Sequence, residues 1–319
     1  MGNCANNNIN KSSFFFHSEK LRKVKRMKYL YLLILLPFLH QLIFSYAPLY
    51  GIIISFKDFK FARGIWGSEW NNFQNYKMLF EDSFFIRAFF NTLKLSISSL
   101  VVSFPSTIIF ALLINEIGKI KFKRIVQTIS YLPHFMSWVV IATFIYQLLS
   151  PENGFLNSVL LRLGAISEPI YFMGLKRYFV PMYLISGLWA GIGWGSIIYL
   201  SAIAGIDISQ YESAQLDGAN RFHKAIYITL PGIMPTATVL LILNLGSILS
   251  VGFDRIFNLY NPLTYEVADV ISTFVFRKGL MEAKYDYAAA VGLFQNIIGF
   301  TLVMMTNYFA RKFNDYAIV

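Results

Sequence analysis

Charged residues divide the chain into alternating apolar and polar stretches. Six mostly apolar runs contain no Lys, Arg, Asp or Glu: Tyr29–Phe56, Leu95–Asn115, Ile125–Pro151, Tyr178–Ile206, Ala225–Phe253 and Tyr287–Ala310. A helix needs about 20 largely apolar residues to cross the hydrocarbon core of a bilayer, and a charge near its centre is costly. The pattern therefore predicts six transmembrane helices.

We expect an all-α integral membrane protein with two parts. Residues 1–28 form a basic N-terminal tail, and residues 29–319 form the six-span domain. The spans are expected at about 29–56, 88–115, 126–149, 178–205, 232–253 and 287–310, with a polar insert at 206–231. Prolines in these runs, such as Pro105 and Pro181, predict kinks or re-entrant ends, because neighbouring helices can satisfy the carbonyls that a proline frees.

Composition and charge agree with a membrane protein. The chain is 56% hydrophobic and 14% charged, with a mean hydropathy of +0.51, and a soluble domain of 319 residues could not bury that much apolar surface. Basic residues cluster at Lys20–Lys28 and Lys119–Arg124, which places both termini in the cytoplasm by the positive-inside rule. The net charge of +11 fits anionic lipid headgroups better than nucleic acid.

The polar insert has the pattern of a helix, a turn and a second helix. Ser209 followed by Glu212 is a capping-box signature for a short helix that ends near Leu216. Gly218 can then adopt the left-handed conformation that ends a helix. Beyond it, one apolar stripe is formed by Ala219, Phe222, Ile226 and Leu230. This elbow could be a hairpin on lipid headgroups or a docking surface for a soluble partner.

The same residues carry a longer pattern. Glu212, Ala214, Gly218, Ile228, Leu230 and Pro231 match the spacing E-A-A, three residues, G, nine residues, I-x-L-P, with Ser213 in place of the first Ala. This pattern resembles the permease subunits of bacterial ATP-binding-cassette (ABC) importers. The segments 71–96, 193–207 and 252–280 are similar to carbohydrate-uptake permeases, especially the branch that imports oligosaccharides released from complex polysaccharides.

The resemblance implies a type I, MetI-like permease of the bacterial cytoplasmic membrane with a cytoplasmic coupling-helix elbow. The implied partners are a second homologous permease, two cytoplasmic ATPase subunits that bind ATP and Mg, and an extracellular sugar-binding protein. The residues implied to contact the ATPase are Glu212, Ser213, Ala214, Asp217, Gly218, Ala219, Phe222, Ile228, Leu230 and Pro231. Among them, Gly218 is expected to form the turn, Glu212 a polar contact, and Ala214 a close approach.

We expect no chemistry from this chain itself. It contains no G-x-x-x-x-G-K-[ST], H-E-x-x-H or G-x-S-x-G segment. We therefore expect no catalytic residue, no metal site and no cofactor in the chain, with ATP hydrolysed by other subunits.

Polar residues inside the fifth run are candidates for a translocation path. Asn244, Ser247 and Ser250 recur every three residues, and Asp254 follows them. Such a stripe either lines a path or hydrogen-bonds to a neighbouring helix. Trp189 and Trp194 could offer flat faces to sugar rings, or they could belong to core packing or the interfacial aromatic belt.

Two other functions stay open at this stage. An ion-coupled secondary transporter needs acidic or histidine relays within its spans, and here the spans contain almost only His40 and Lys94. A scaffold subunit without its own sugar site would leave binding to a partner permease. The outer loops have nearly balanced charge, which does not choose between acidic and neutral sugars.

Overall fold

The computed structural model describes residues 27–313, with side chains up to Tyr308. The expected basic tail therefore lies outside the described residues, except for its last two positions.

The described residues form fourteen helices and a short β-ribbon. The helices are α1 Lys28–Phe56, α2 Gly64–Gly67, α3 Gln74–Glu81, α4 Ser83–Asn115, α5 Ile120–Tyr131, α6 Trp138–Leu149, α7 Phe155–Arg162, α8 Lys176–Ala204, α9 Ile208–Leu216, α10 Arg221–Gly246, α11 Phe253–Leu259, α12 Tyr265–Ala268, α13 Ile271–Phe276 and α14 Tyr285–Phe313. The strands β1 Lys57–Asp58 and β2 Glu69–Trp70 pair antiparallel, Lys57 opposite Trp70 and Asp58 opposite Glu69. α1 includes a π turn at Leu42–Tyr46 and 3₁₀ turns at Ala47–Phe56, and α10 includes a π turn at Ala225–Thr229. Short 3₁₀ turns lie at Phe61–Arg63, Leu132–Phe135 and Phe172–Gly174, and a π turn follows α13 at Arg277–Met281.

The predicted helical membrane architecture is confirmed. α1, α4, α8, α10 and α14 are each long and apolar enough to cross a membrane, and α5 with α6 makes a sixth segment if the bent pair is counted as one. The small β-ribbon is the departure from an all-α chain.

The third segment is not the continuous span expected at 126–149. Its two halves, Ile120–Phe135 and Trp138–Leu149, are bent by 102° relative to each other. Pro133 lies in the 3₁₀ turn at the break, where it has no N–H to continue the helical bonding. Ser137 is extended and accepts a hydrogen bond from the N–H of Val140, so it starts α6 in a new direction.

The fifth span also departs from its expected limits of 232–253. α10 already begins at Arg221, inside the expected elbow, and it ends at Gly246. Residues 247–252 are not helical, and side chains replace some of the lost helical bonds. Gln295 donates to the carbonyl of Leu249 at 2.7 Å, and Ser272 donates to that of Val251 at 3.4 Å. α4 similarly begins at Ser83, five residues before the expected start, because the Asp82 carboxylate caps it.

Helix packing places the core between α4, α8, α10 and α14. One apolar cluster joins α4 to α6, α8 and α11, a second joins α4 to α13 and α14, and a third joins α4 to α8 and α10. In contrast, residues 28–50 of α1 are all exposed, and only the second half of this helix packs on α14. α4 and α8 are thus the central helices of the bundle.

The loops gather at two opposite ends of the bundle. The loops before α4, α8 and α14 meet at one end of the bundle, which we call the loop end. Residues 206–221 lie at the opposite end, which we call the elbow end. At the loop end the Asp269 carboxylate, 1% exposed, binds the Arg277 guanidinium through two hydrogen bonds of 2.5 and 2.7 Å. Asn91 of α4 donates to the Asp269 carbonyl at 3.0 Å. These bonds tie the loop before α14 to α4.

Candidate functional site

A polar cavity of about 350 Å³ lies between α4, α8 and the end of α10. α4 contributes a row of hydroxyl groups at helical spacing, from Ser96, Ser99, Ser103 and Thr107. α8 contributes Tyr183, Gly195, Ile198 and Tyr199. Because Tyr183 and Tyr199 are sixteen residues apart, the cavity follows roughly 24 Å of the α8 axis.

The third wall contains three of the residues expected from the sequence. Asn244 lies on the last turn of α10, and Ser247 and Ser250 lie in the non-helical segment that follows. The Asn244 amide donates to the Leu240 carbonyl at 2.8 Å, and the Ser247 hydroxyl donates to that of Asn244 at 3.1 Å. Each side chain therefore keeps acceptor capacity beyond the bond it makes to its own helix.

The other expected path residues are not part of this cavity. Trp194 stacks on His134, with ring centroids 4.6 Å apart and planes 3° from parallel, and Trp189 stacks on Phe144. Both tryptophans are partly exposed away from the cavity wall, and Asp254 lies on the exposed side of α11. The structure thus brings together Asn244, Ser247 and Ser250 but does not add Trp189, Trp194 or Asp254 to them.

The hydroxyl row of α4 was missed by the sequence analysis. Its signal is present in the chain, since Ser96, Ser99, Ser103 and Thr107 are spaced by three, four and four residues in an apolar run. That spacing puts them on one helix face. Only the structure shows that this face meets the stripe on α10.

The elbow is a helix, a turn and a helix, as expected, but its first cap differs. Asp207, and not Ser209, is the N-cap of α9, and its carboxylate accepts the N–H of Ser209 at 3.0 Å. This hydrogen bond lowers the pKa of Asp207. In a capping box the glutamate is the third residue of the helix, but Glu212 is the fifth residue of α9. The capping-box interpretation of Glu212 is therefore wrong. Its carboxylate is exposed at the surface of α9.

Gly218 forms the turn that the pattern predicts. Its φ is +80°, and the N–H groups of Ala219 and Gly218 donate to the carbonyls of Ala214 and Gln215 at 2.9 and 3.1 Å. These two bonds are the Schellman arrangement that ends a helix with a left-handed residue. Asn220 then starts α10 by accepting the His223 N–H at 2.9 Å.

Side-chain contacts fix α9 to the base of α10. The Tyr211 and Thr229 hydroxyls are 3.0 Å apart, and Thr229 is 1% exposed. Lys224 donates to the Gln215 side chain at 3.1 Å. Ile206 fits so closely against Gly232 that a β-carbon there would overlap it. The elbow and α10 are therefore joined by three independent contacts.

Several apolar side chains are exposed on the outer surface of the elbow. Leu216 is 90% exposed, and Ile208, Phe222 and Tyr227 are also largely exposed. The predicted apolar stripe divides here, because Leu230 packs into the core between α4 and α8 whereas Phe222 remains outside. Of the remaining elbow residues, Ser213, Asp217 and Pro231 are exposed and Ala214, Ala219 and Ile228 are half-buried.

The elbow is continuous with two walls of the cavity. α8 ends directly before α9, and α10 starts in the elbow and ends beside Asn244. A displacement of α9 would therefore reach the cavity through helices and not through flexible loops. Among residues 27–313, no three His, Cys, Asp or Glu side chains lie close enough to hold a metal ion.

Membrane-spanning helices around a polar cavity, with an exposed elbow at one end, define a membrane permease. Residues 78–313 match the family described as the binding-protein-dependent transport system inner membrane component, and the chain belongs to this family. It is thus a membrane subunit of a binding-protein-dependent transporter.

Several relatives share most of the chain. Protein LplB of Bacillus subtilis (strain 168) is 40% identical over 92% of this chain and 91% of its own length. The polygalacturonan/rhamnogalacturonan transport system permease protein YteP of the same organism is 40% identical over 95% of both chains. A crystal structure of a bacterial ABC transporter involved in the import of the acidic polysaccharide alginate contains a similar chain, with a TM-score of 0.84, 41% identity and coverage of 92% of this chain and 99% of that one. A second structure of that transporter holds a periplasmic protein with a bound alginate pentasaccharide.

Proposed function

We propose that this chain is one of two permease subunits that form the path of an ATP-driven importer, and that its substrates are oligosaccharides from acidic polysaccharides. The chain is a sugar permease of the ABC importer class. The observation that carries the proposal is the polar cavity whose walls continue into the elbow.

The cavity wall has the chemistry that a sugar requires. Hydroxyl groups of serine and threonine and the amide of Asn244 can each donate and accept hydrogen bonds, as sugar hydroxyls do. The rings of Tyr183 and Tyr199 add flat apolar faces beside them. Two relatives support acidic sugars, since one is named for polygalacturonan, a polymer of uronic acid, and the other imports alginate.

The elbow is proposed to bind a cytoplasmic ATPase subunit. A side chain such as Leu216, 90% exposed at a polar end of the molecule, is expected to be covered by a partner in the assembled transporter. Because α9 is fixed to α10, closure of a nucleotide-bound ATPase dimer would move the cavity walls and switch access from one side to the other. Glu212, Ser213, Ala214 and Asp217 lie on or beside this surface.

Two further partners belong to the proposal. Residues 28–50 of α1 are exposed in the described part of the chain, which suits a helix that lies against lipid and a second permease. At the loop end, Trp66 of α2 and Trp70 of the β-ribbon are 78% and 66% exposed. Buried Lys57 stabilises this region through hydrogen bonds to the carbonyls of Ile65 and Ser68. We propose this surface as a contact for the sugar-binding protein.

The test is ATP hydrolysis by the complete transporter in proteoliposomes. The parent complex, supplied with its binding protein, is expected to hydrolyse ATP faster with uronate oligosaccharides than without sugar. If no oligosaccharide in a panel of acidic and neutral sugars changes the rate, the proposed function is wrong.

The elbow is tested by Leu216→Asp, with Phe61→Asp as the matched control. Phe61 is 87% exposed at the loop end, so the two substitutions remove similar exposed apolar area. Loss of one buried leucine contact weakens binding by about 1.5–3 kcal/mol, roughly 10- to 100-fold. Leu216→Asp should therefore lower the affinity of the permease for its ATPase subunit by at least that factor, while Phe61→Asp leaves it unchanged. Equal affinities for the two variants would favour an elbow that lies on lipid.

A further inference from the structure

Arg255 lies next to the cavity wall, at the loop end of the molecule. It is in the first turn of α11, directly after the non-helical segment whose last residues, Ser250, Val251 and Gly252, line the cavity. Its guanidinium lies 3.5 Å from the ring centroid of Tyr183, which also lines the cavity. No sequence pattern marks this residue, because it stands just beyond an apolar run.

Glycines on α8 leave room for the Arg255 guanidinium beside the cavity wall. Tyr183, Gly187, Gly191 and Gly195 are spaced by four residues, so they share one helix face. A β-carbon at Gly187 would overlap the Arg255 guanidinium, and one at Gly195 would touch Thr107, but one at Gly191 would meet nothing within 4 Å. The guanidinium therefore covers one end of this face, and the space over Gly191 is open.

The guanidinium has hydrogen-bond donors without acceptors. Its Nε and Nη2 atoms are buried and have no partner among the described residues. No described carboxylate lies within 4 Å of it, whereas Arg277, on the same end of the molecule, binds Asp269 through both of its terminal nitrogens. Burial without a counterion lowers the pKa of Arg255 to about 10, which leaves the group charged at neutral pH.

Aromatic contacts explain only part of this arrangement. Tyr183 and Trp138, the latter 5.0 Å away, interact with the positive charge through their ring faces. Such contacts satisfy the charge but leave the in-plane N–H groups of a guanidinium without acceptors. Those N–H groups form a planar fork that matches the two oxygens of a carboxylate.

We propose that Arg255 is a specificity-determining residue that binds the carboxylate of a uronic acid ring as the oligosaccharide enters the cavity. This inference rests on the proposed transport function and adds the residue that recognises the acidic group. A carboxylate could also come from the second permease, and the experiment separates the two sources.

The experiment compares the parent transporter with Arg255→Gln, Arg255→Lys and the control Arg177→Gln in proteoliposomes. Arg177 is an exposed arginine at the same end of α8. Uptake is measured for an oligogalacturonate and for the same oligosaccharide with some of its carboxyl groups methyl-esterified. The melting temperature of each assembled complex is measured in parallel.

We expect Arg255→Gln to reduce uptake of the acidic sugar by roughly 10- to 100-fold, the range for a lost hydrogen bond between charged groups. The loss should shrink as the degree of esterification rises, and Arg255→Lys should fall between the parent and Arg255→Gln, because lysine keeps the charge but not the fork. Arg177→Gln should transport like the parent.

Two results would overturn the inference while leaving the transport function intact. Equal losses for the acidic and the esterified sugar would show that Arg255 only supports the packing of α8. A lower melting temperature of the Arg255→Gln complex without sugar, together with unchanged discrimination, would assign the carboxylate to the partner permease. Failure of the parent to take up any sugar would instead refute the proposed function.

Discussion

At Gly193, α8 lies against the backbone of α5, and replacing this glycine tests how the bent third segment is held. A β-carbon on Gly193 would overlap the backbone carbonyl of Ser130 in α5. Two residues earlier on α8, a β-carbon on Gly191 would meet nothing within 4 Å. Gly193→Ala therefore adds a methyl group where the space is already filled, whereas Gly191→Ala adds the same group to the same helix where the space is open.

The expected difference follows from this geometry. Ordinary contact of a β-carbon begins at 3.4 Å, and because the obstacle at Gly193 is backbone, α5 itself has to move away. Overpacking of this kind costs about 1–3 kcal/mol, whereas Gly→Ala in an unobstructed helix gains up to about 1 kcal/mol. Both variants share that gain, so Gly193→Ala should be less stable than Gly191→Ala by the overpacking cost, about 1–3 kcal/mol.

The assay is equilibrium unfolding of the purified permease in mixed micelles, followed by the fluorescence of its tryptophans. Trp194 is a useful probe, because it is next to Gly193 and stacks on His134 in the turn that follows α5. If the two variants differ by less than about 0.5 kcal/mol, the close approach of α5 to α8 does not limit stability and the reasoning fails.

Two more outcomes are expected. Ser99→Phe should block sugar uptake because the phenylalanine ring fills the cavity, whereas Ser98→Phe, one residue away and outside the cavity wall, should not. Sugar uptake and the recovery of the assembled complex are measured for both variants. Equal uptake by the two variants would exclude the cavity as the path. The Lys176 ammonium lowers the pKa of Glu266 below its ordinary 4.5, so this pair stabilises the fold above that value and the contribution is lost as pH falls through the lowered pKa. Lys176→Met should therefore flatten the pH dependence of unfolding in the acid range, and an unchanged profile would show that the pair is not formed.

The helical membrane architecture follows from the spacing of charges, because the bilayer imposes one length on every span. The spacing of charges does not predict the end of a helix that stops inside an uncharged run. The run that contains α10 continues to Phe253, but the helix stops at Gly246, whose missing side chain lets α14 approach closely at Val303. The side chains that donate to the freed carbonyls of Leu249 and Val251, Gln295 and Ser272, come from later parts of the chain, so no local pattern predicts this end.

Only one wall of the cavity was predicted from the sequence, because the walls come from helices that are far apart along the chain. A stripe such as Asn244, Ser247 and Ser250 is visible in one helix, but its partner on α4 becomes meaningful only when the packing of the two helices is known. Arg255 is further from prediction, since its lack of a counterion depends on the positions of all the carboxylates around it. By contrast, the turn at Gly218 was predicted from sequence, because a left-handed helix end is decided within a few residues.

The break after α10 also gives the proposed movement a place to act. Tyr211 and Gln215 join α9 to the first turns of α10, and this helix continues without a loop to Gly246. A rigid displacement of the elbow would therefore be delivered to the non-helical segment that carries Ser247 and Ser250. That segment is held from the other side by the Gln295 side chain, which belongs to α14 and not to α10. Relative motion of α10 and α14 would then change the cavity wall itself, which is how an apolar contact at the elbow could control a polar path at the far end of the same helix.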